Sequence, residues 1–146
     1  MALEVGTQSP ELEYENLNGE TKSILASGEQ TWVIFIPFAF TGVCQGEVCD
    51  IRDNFSNYGN DGKNLVIVTT DPAPSQKEWS DMLGYKGAWV SDFYPHGEIS
   101  KRFDVFNAEL GCANRVSYLI DENGKIAKVV SSGSLSEARD FSLYYS

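Results

Sequence analysis

The chain has 146 residues, of which 42% are hydrophobic and 22% are charged. This composition fits a single domain, residues 1–146, with one hydrophobic core, and it excludes a disordered chain. The 21 acidic and 11 basic side chains give a formal net charge of −10, so phosphate backbones and anionic lipids are repelled and we expect no nucleic-acid or membrane partner.

The cysteine content and the first residues favour a cytoplasmic protein. Three cysteines are an odd and sparse set, unlike the disulfide framework of a small secreted domain. Residues 1–5 lack the positive region and the apolar stretch of a signal peptide. In a reducing compartment, cysteines serve as core residues, metal ligands or reactive thiols. Because His96 is the single histidine, a histidine-rich metal site cannot be built.

Strands and helices are predicted to alternate in the first half of the chain. Continuous apolar runs are typical of buried strands covered on both faces, and apolar residues at helical spacing predict a helix between them. The predicted elements are an edge strand around Leu12 and Tyr14, a turn at Asn18-Gly19, a strand over 31–36, a helix over 43–58, a turn at Asp61-Gly62 and a strand over 65–69.

The second half begins with a helix and contains a hairpin. Ser75 and Glu78 have the spacing of a capping box, Gly84 ends that helix, and Trp79, Met82 and Leu83 form its inner face. The further predicted elements are a strand over 88–91, a short helix over 98–103, hairpin strands over 116–120 and 126–130, and a last helix that Ser134 and Glu137 cap and that runs towards Tyr145.

This order predicts an α/β fold, with a mixed central sheet and helices on both faces. In open α/β sheets, functional sites lie at the carboxyl end of a central strand. The first buried strand ends at Ile36, and the loop that follows carries the densest chemistry in the chain.

Cys44 falls in the first turn of the helix that follows this loop. Unpaired amide N–H groups and the positive end of the helix dipole there favour the thiolate over the thiol. Thr41 can place its hydroxyl beside the sulfur, either to donate to the thiolate or to accept from a bound peroxide. Pro37 removes a backbone donor and can shield the site from water. Taken alone, Cys44 also fits an inert, buried cysteine.

Pro37, Thr41 and Cys44 form a Pro-x-x-x-Thr-x-x-Cys pattern that resembles the active-site motif of the peroxiredoxins. Residues 38–47, 91–97 and 113–115 resemble one subfamily, the alkyl hydroperoxide reductase E-like peroxiredoxins of the AhpC/TSA family. The resemblance implies a thioredoxin-like fold. It also implies a thiol-dependent peroxidase that reduces hydrogen peroxide and small organic hydroperoxides without metal, haem or flavin.

The resemblance also implies a role for each site residue. Cys44 would be the peroxidatic cysteine, whose thiolate attacks the hydroperoxide and becomes a sulfenic acid. Thr41 and Arg115 would hold the peroxide and stabilise charge on the leaving oxygen. Without the motif, Arg115 fits a solvated arginine at the start of a strand. Glu47 could orient an arginine, or it could be a solvated helix residue.

Cys49 departs from that subfamily, whose members are regarded as one-cysteine enzymes. Its C-x-x-x-x-C spacing with Cys44 resembles peroxiredoxin Q-like enzymes, in which the second cysteine resolves the first. In an intact helix, residues five apart are rotated by roughly 140° and rise about 7.5 Å, whereas a disulfide needs Cα atoms within about 7 Å. The bond would require the first turns to unwind, which Gly46 makes easier. Cys49 could equally be an ordinary helix cysteine.

Other residues admit two interpretations. Cys112 could resolve Cys44 or link to a partner, or it could be a small apolar loop residue, and His96 could be a base or a structural histidine. Trp79 could form a wall of the pocket.

A thiol reductant would regenerate the enzyme: a thioredoxin, a glutaredoxin-like protein or a low-molecular-weight thiol. The resemblance suggests a homodimer that packs near the active-site loop through Phe38, Phe40 and Phe93. Two alternatives are a redox-sensing or thiol-transfer protein that passes oxidation to a partner, and a non-enzymatic interaction domain with an inert Cys44.

Overall fold

The computed structural model describes residues 2–15, 19–25, 28–57, 64–132 and 134–144. Within these ranges the chain folds into nine strands, three α-helices and two short 3₁₀ helices. The strands are β1 (Glu13–Glu15), β2 (Thr21–Ser23), β3 (Thr31–Phe35), β4 (Leu65–Thr69), β5 (Ala88–Ser91), β6 (Phe106–Asn107), β7 (Cys112–Ala113), β8 (Val116–Ile120) and β9 (Ile126–Ser131). The helices are α1 (Gly42–Asp53), α2 (Ala73–Leu83) and α3 (Glu98–Arg102), with 3₁₀ turns at Phe55–Asn57 and Phe141–Tyr144.

The central sheet is mixed, as the sequence predicts. In the described part of the chain, five strands pair in the order β5-β4-β3-β8-β9. β3, β4 and β5 run parallel to one another, whereas β8 runs antiparallel to both β3 and β9. The β8–β9 pair confirms the predicted hairpin. Its turn is closed by Asp121, whose Oδ1 accepts the amide N–H groups of Asn123 and Lys125 at 2.9 Å each.

The hydrophobic core lies on both faces of this sheet because side chains alternate along each strand. From β3, Val33 and Phe35 pack on the face that contains Phe103, which directly follows α3. Trp32 and Ile34 pack on the opposite face with residues of α1 and α2. Helices therefore cover both faces, which confirms the predicted architecture.

Helix α1 is shorter than the predicted 43–58. It ends at Asp53, where the Asn54 amide donates to the Asp50 carbonyl at 3.0 Å, and a 3₁₀ turn follows. Tyr58 and the predicted turns at Asn18-Gly19 and Asp61-Gly62 lie wholly or partly outside the described residues.

Helix α2 corrects the predicted capping box. Pro72 is the N-cap and Ala73 the first helical residue, so Ser75 lies inside the helix and caps nothing. Pro74 fits in the first turn because no helical acceptor is available there for its missing N–H. The inner face also differs from the prediction. Trp79 is fully buried, whereas Met82 is 65% exposed and the buried Gln76 takes part in the inner face instead.

The predicted C-terminal helix does not form. Residues 134–140 are turns and irregular backbone, and only the 3₁₀ turn Phe141–Tyr144 follows them. The Arg139 amide and the Leu135 carbonyl, which an α-helix would join, bind other groups instead. The amide donates to Glu47 Oε2 at 3.0 Å, and the carbonyl accepts from Arg115 Nε at 2.7 Å. Over the described ranges, no helix is both long and apolar enough to cross a membrane.

Candidate active site

Cys44 lies at the third position of α1, just beyond the carboxyl end of the central strand β3. The first helical hydrogen bond joins the Gln45 amide to the Thr41 carbonyl at 2.8 Å. The amides of Val43 and Cys44 therefore precede the helical ladder and have no acceptor within the helix. The Cys44 side chain is fully buried. This placement confirms the predicted position of Cys44 in the first helical turn.

The loop between β3 and α1 contains a strained residue. Phe40 has a φ of 63°, in the left-handed region that bulky side chains avoid at a cost of about 1–2 kcal/mol. Its ring lies 6.0 Å from that of Trp79, between centroids, so Trp79 forms a wall behind the loop. Pro37 is buried at the start of the loop. Such strain persists only where the surrounding structure holds the backbone in place.

Thr41 is the N-cap residue of α1, but its side chain does not cap the helix. Its Oγ1 donates instead to the Phe38 carbonyl at 2.9 Å, and the residue is exposed. Because the hydroxyl proton is used in this bond, the oxygen lone pairs remain to accept a hydrogen bond. Of the two roles the sequence allows, this geometry favours accepting from a bound peroxide over donating to the thiolate.

Arg115 reaches the same region through the sheet register. Ser117 of β8 pairs with Ile34 of β3, so the residue before β8 lies beside the end of β3. The Arg115 side chain is buried: its Nη1 donates to Glu47 Oε1 at 2.6 Å and its Nε to the Leu135 carbonyl at 2.7 Å. The alternative of a solvated strand-end arginine is thereby excluded.

Glu47 lies one turn after Cys44 on α1 and is 2% exposed. Besides Arg115, it binds Arg139 through three hydrogen bonds of 2.8–3.0 Å, two from the guanidinium and one from the backbone amide. Burial opposes ionisation, but the hydrogen bonds and charge of Arg139, with the charge of Arg115, hold the pKa of the Glu47 carboxyl below its ordinary value. Glu47 thus orients two arginines as a buried carboxylate.

Sequence reasoning missed Arg139. Its side chain is only 1% exposed, and its Nη1 also donates to Ser117 Oγ at 2.8 Å. Ser117 in turn shares a 2.7 Å hydrogen bond with the Tyr144 hydroxyl. Arg139 and Glu47 are 92 residues apart, so no local spacing could reveal the pair. The sequence offers only a weak signal, a lone arginine in a polar segment whose pattern predicts a helix.

The structure does not bring the three cysteines into a disulfide, and all are free. Cys44 and Cys49 belong to one continuous helix, with Cys49 half-buried. Cys112 is buried in β7, and burial, with a smaller contribution from the nearby Cys44, raises the pKa of its thiol to about 11. A thiol that stays protonated at neutral pH is a poor nucleophile, so this environment favours a packing role for Cys112.

His96 occupies a structural position. Its Nε2 donates to the Gly111 carbonyl at 2.7 Å, and its ring contacts those of Phe93 and Phe106. Thr70 Oγ1, after β4, approaches the same carbonyl at 3.4 Å. Among the residues that the structure describes, no group of three or more His, Cys, Asp or Glu side chains is arranged to hold a metal ion.

Comparison with known proteins gives concordant sequence matches. The sequence model of the AhpC/TSA family matches residues 5–129. The chain is 32% identical over 126 residues to alkyl hydroperoxide reductase E of Mycobacterium tuberculosis strain H37Rv, which spans 85% of this chain and 82% of that protein. It is 29% identical over 119 residues to alkyl hydroperoxide reductase C of Escherichia coli K12, which spans 77% of this chain and 63% of that protein.

Solved structures agree on the fold. Peroxidoxin BcpB from Mycobacterium tuberculosis superposes with a TM-score of 0.74 at 24% identity, over 91% of this chain and 89% of that one. A peroxiredoxin-like protein from Aquifex aeolicus gives a TM-score of 0.80 at 23% identity, over 98% of this chain and 84% of that one. These likenesses confirm the thioredoxin-like fold. With a family match over most of its length and the Thr41–Cys44 motif at the end of β3, the chain belongs to the AhpC/TSA family.

Proposed function

We propose that the protein is a thiol-dependent peroxidase that reduces hydrogen peroxide and small organic hydroperoxides through Cys44. The observation that carries this proposal is the position of Cys44, in the first turn of α1 and one turn before the ion cluster of Glu47 and Arg115. Residues 1–146 would act as a single thioredoxin-like domain. Membership of the AhpC/TSA family supports the same activity.

In the first step, the Cys44 thiolate attacks the terminal oxygen of the hydroperoxide. A sulfur–oxygen bond forms, the oxygen–oxygen bond breaks, and the leaving oxygen takes a proton and departs as water or alcohol. Sulfur is oxidised by two electrons to a sulfenic acid while the peroxide is reduced. The amides of Val43 and Cys44, which have no acceptor within the helix, are suited to stabilise the negative charge that develops on the oxygens.

Thr41 and Arg115 position the hydroperoxide in this proposal. Thr41 Oγ1 accepts a hydrogen bond from the peroxide O–H, since its own hydroxyl proton is donated to the Phe38 carbonyl. Arg115 uses Nη1 and Nε within the fold, which leaves Nη2 to donate to the peroxide. The exposed Thr41 marks the side from which a substrate reaches the buried Cys44. Pro37 shields this side of the loop from water.

Regeneration requires a thiol. We propose that Cys49 attacks the sulfenic acid, which releases water and forms a Cys44–Cys49 disulfide. A thioredoxin, a glutaredoxin-like protein or a low-molecular-weight thiol then reduces that disulfide. Because both cysteines lie in the intact helix α1, the first turns must unwind before the two sulfurs can meet.

The test is to treat the fully reduced protein with one equivalent of hydrogen peroxide and to map the products by mass spectrometry. We expect a Cys44–Cys49 disulfide, and no peroxide consumption by Cys44→Ser. A sulfenic acid that persists on Cys44 would retain the peroxidase but reject resolution by Cys49. Unmodified Cys44 with unconsumed peroxide would reject the peroxidase and favour an interaction domain.

We also propose a cytoplasmic homodimer that packs around the active-site loop. Phe38, Phe40 and Phe93, here called the aromatic rim, are exposed by 37%, 50% and 51%. Phe93 precedes His96, whose bond to Gly111 holds this loop near the end of β4, so the rim occupies the sheet edge where Cys44 lies. The acidic net charge supports the absence of nucleic-acid and membrane partners. A monomeric mass by light scattering in the reduced state would exclude the dimer.

A further inference from the structure

One side chain from a neighbouring strand tethers the active-site loop. Asp71 Oδ2 accepts the backbone N–H of Ala39, midway between β3 and α1, at 2.8 Å. Asp71 follows β4, which lies beside β3 and runs parallel to it. The carboxyl ends of the two strands meet at one sheet edge, so this carboxylate reaches the loop directly.

Asp71 is itself held rigidly. Its amide donates to Thr69 Oγ1 at 3.2 Å, and its carbonyl accepts from the Oγ of Ser91, the last residue of β5, at 2.6 Å. Thr69 is fully buried and also accepts from Gln76 Nε2 of α2 at 2.8 Å. The Asp71 backbone is therefore bound directly to β4 and β5, and through Thr69 to α2, so its carboxylate projects from a fixed point of the fold.

The anchored point lies where the loop is most constrained. Ala39 directly precedes the strained Phe40, and Phe38 on its other side accepts the Thr41 hydroxyl. A backbone in the left-handed region relaxes when its surroundings release it. Loss of the Ala39 bond would thus change the direction in which the chain enters Thr41 and the first turn of α1.

We propose that Asp71 is a positioning residue for peroxide reduction. It acts through Ala39, by holding the loop so that the Thr41 oxygen and the amides of Val43 and Cys44 converge on the hydroperoxide. Asp71 does not touch the substrate. The inference rests on the proposed peroxidase function and adds a residue that the active-site motif does not contain.

The chain provides a matched control for a merely structural aspartate. Asp92 follows β5 as Asp71 follows β4, and it is more deeply buried. Its carboxylate accepts the amides of Ile99 and Ser100 at 2.8 Å each and the Ser100 hydroxyl at 2.7 Å. These bonds fasten α3 and none reaches the active-site loop. Asp92→Ala therefore reports what the loss of a strand-end anchor does to folding alone.

The experiment compares two reactions of Cys44 in Asp71→Ala, Asp71→Asn and Asp92→Ala. Reaction with hydrogen peroxide needs the positioned loop, whereas alkylation by iodoacetamide needs the thiolate and access to the sulfur but no positioned Thr41 oxygen. We expect Asp71→Ala to slow the peroxide reaction by about 10- to 100-fold, the scale of a misplaced reacting group, and to leave alkylation nearly unchanged. Asp71→Asn should restore most of the peroxide rate, because the carboxamide oxygen can accept the same N–H.

Asp92→Ala should change the two rates equally or not at all. Equal slowing of both reactions in Asp71→Ala, or an unchanged peroxide rate, would overturn the positioning role. Where Asp71→Ala does not fold, Asp71→Glu replaces it, since one added methylene misplaces the tether while the charge is kept. Failure of the wild-type protein to react with peroxide would instead reject the proposed function.

Discussion

The Thr41 hydroxyl donates a hydrogen bond to the Phe38 carbonyl at 2.9 Å. In the proposed mechanism, its oxygen is then an acceptor whose direction the loop determines. Thr41→Val keeps the branched shape and removes this acceptor. We expect the rate constant with hydrogen peroxide to fall about 100-fold, the order expected for one positioned hydrogen-bonding group in a transition state.

Stopped-flow measurement of peroxide consumption under single-turnover conditions checks this expectation. Thr41→Ser is the matched control, because it retains the hydroxyl and should remain within about tenfold of the wild type. A Thr41→Val protein that is as fast as the wild type would show that the site is assigned to the wrong residues.

Glu47 is the charge on which the buried cluster depends. Its carboxylate faces the cations of Arg115 and Arg139, and all three side chains are at most 4% exposed. Removing one member of a buried ion pair leaves the other charges without compensation, at about 3–5 kcal/mol. We expect Glu47→Gln to lower the free energy of unfolding by about 3 kcal/mol at pH 7, as measured by urea denaturation.

The pH dependence of this effect follows from the pKa of Glu47. Because the folded pKa lies below the ordinary value of 4.5, the folded protein binds this proton more weakly than the unfolded chain. The stabilisation is fully present above pH 4.5 and is lost as pH falls through the folded pKa. The difference between wild type and Glu47→Gln should therefore shrink in acid. The exposed Glu78→Gln is the control and should cost at most about 0.5 kcal/mol.

Sequence reasoning identifies Glu47 and one of its two arginine partners, Arg115, but not the other, Arg139. Cys44, Thr41 and Glu47 are local, because helix periodicity relates them over seven residues. Arg115 came from a motif, and its contact with Glu47 depends on how β8 registers against β3. Arg139 belongs to no local pattern, and its contact with Glu47 exists only once the chain has folded. Local spacing thus identifies Cys44 as the proposed nucleophile, whereas the buried charges around it depend on tertiary structure.

At the scale of elements, the same cluster explains the failure of the predicted C-terminal helix. Ser134 and Glu137 have capping-box spacing, and nothing in the composition of 134–144 forbids a helix. The tertiary bonds of the Arg139 amide and the Leu135 carbonyl compete with the helical bond between them. A short isolated helix is marginal in water, so contacts with two buried ionic side chains prevail.

In the proposed mechanism, we expect helix α1 to limit the speed of the second chemical step, because Cys44 would reach Cys49 only after the first turns of α1 unwind. Gly46 lies between the two cysteines, is exposed, and has open space where a Cβ would be placed. Gly46→Ala should stabilise the helix by about 1 kcal/mol without a clash. We expect disulfide formation after oxidation to slow about fivefold, since 1.4 kcal/mol corresponds to a factor of ten.

Quenched samples analysed by mass spectrometry give the time course of the disulfide, and stopped-flow traces give the oxidation step. The oxidation step should be nearly unchanged in Gly46→Ala. Cys49→Ser is the variant in which no Cys44–Cys49 disulfide can form, so the sulfenic acid should persist. Identical disulfide kinetics in Gly46→Ala and wild type would mean that unwinding of α1 does not control resolution.

At the scale of the whole molecule, the sheet was predictable because its inner strands are continuous apolar runs. β3 and β4 are buried at every position, which is typical of parallel strands covered on both faces. The short strand pairs β1–β2 and β6–β7 contain no continuous apolar run of this kind. Of these four strands, only β1 was anticipated, from the alternation of Leu12 and Tyr14. No periodic pattern in the sequence reports the oligomeric state, which depends instead on the exposed apolar surface and on the net charge of the folded protein.

The exposed apolar surface and the net charge together give a prediction for the proposed homodimer. The aromatic rim favours association, whereas two copies that each carry −10 repel one another. Salt screens this repulsion, because the Debye length falls from about 30 Å at 0.01 M to about 8 Å at 0.15 M. Hydrophobic contact does not depend on charge. We therefore expect the dimer to be tighter at 0.15 M than at 0.01 M salt, the opposite of an interface held by ion pairs.

Sedimentation velocity of the reduced protein at the two salt concentrations measures this directly. Phe93→Ala should shift the protein towards monomer at both concentrations. Met82→Ala, which removes an even more exposed apolar side chain from α2 outside the aromatic rim, should not. Dissociation on adding salt would mean that ion pairs hold the dimer. An unchanged dimer in Phe93→Ala would place the interface outside the aromatic rim, because the loss of a half-exposed ring from a packed interface weakens association.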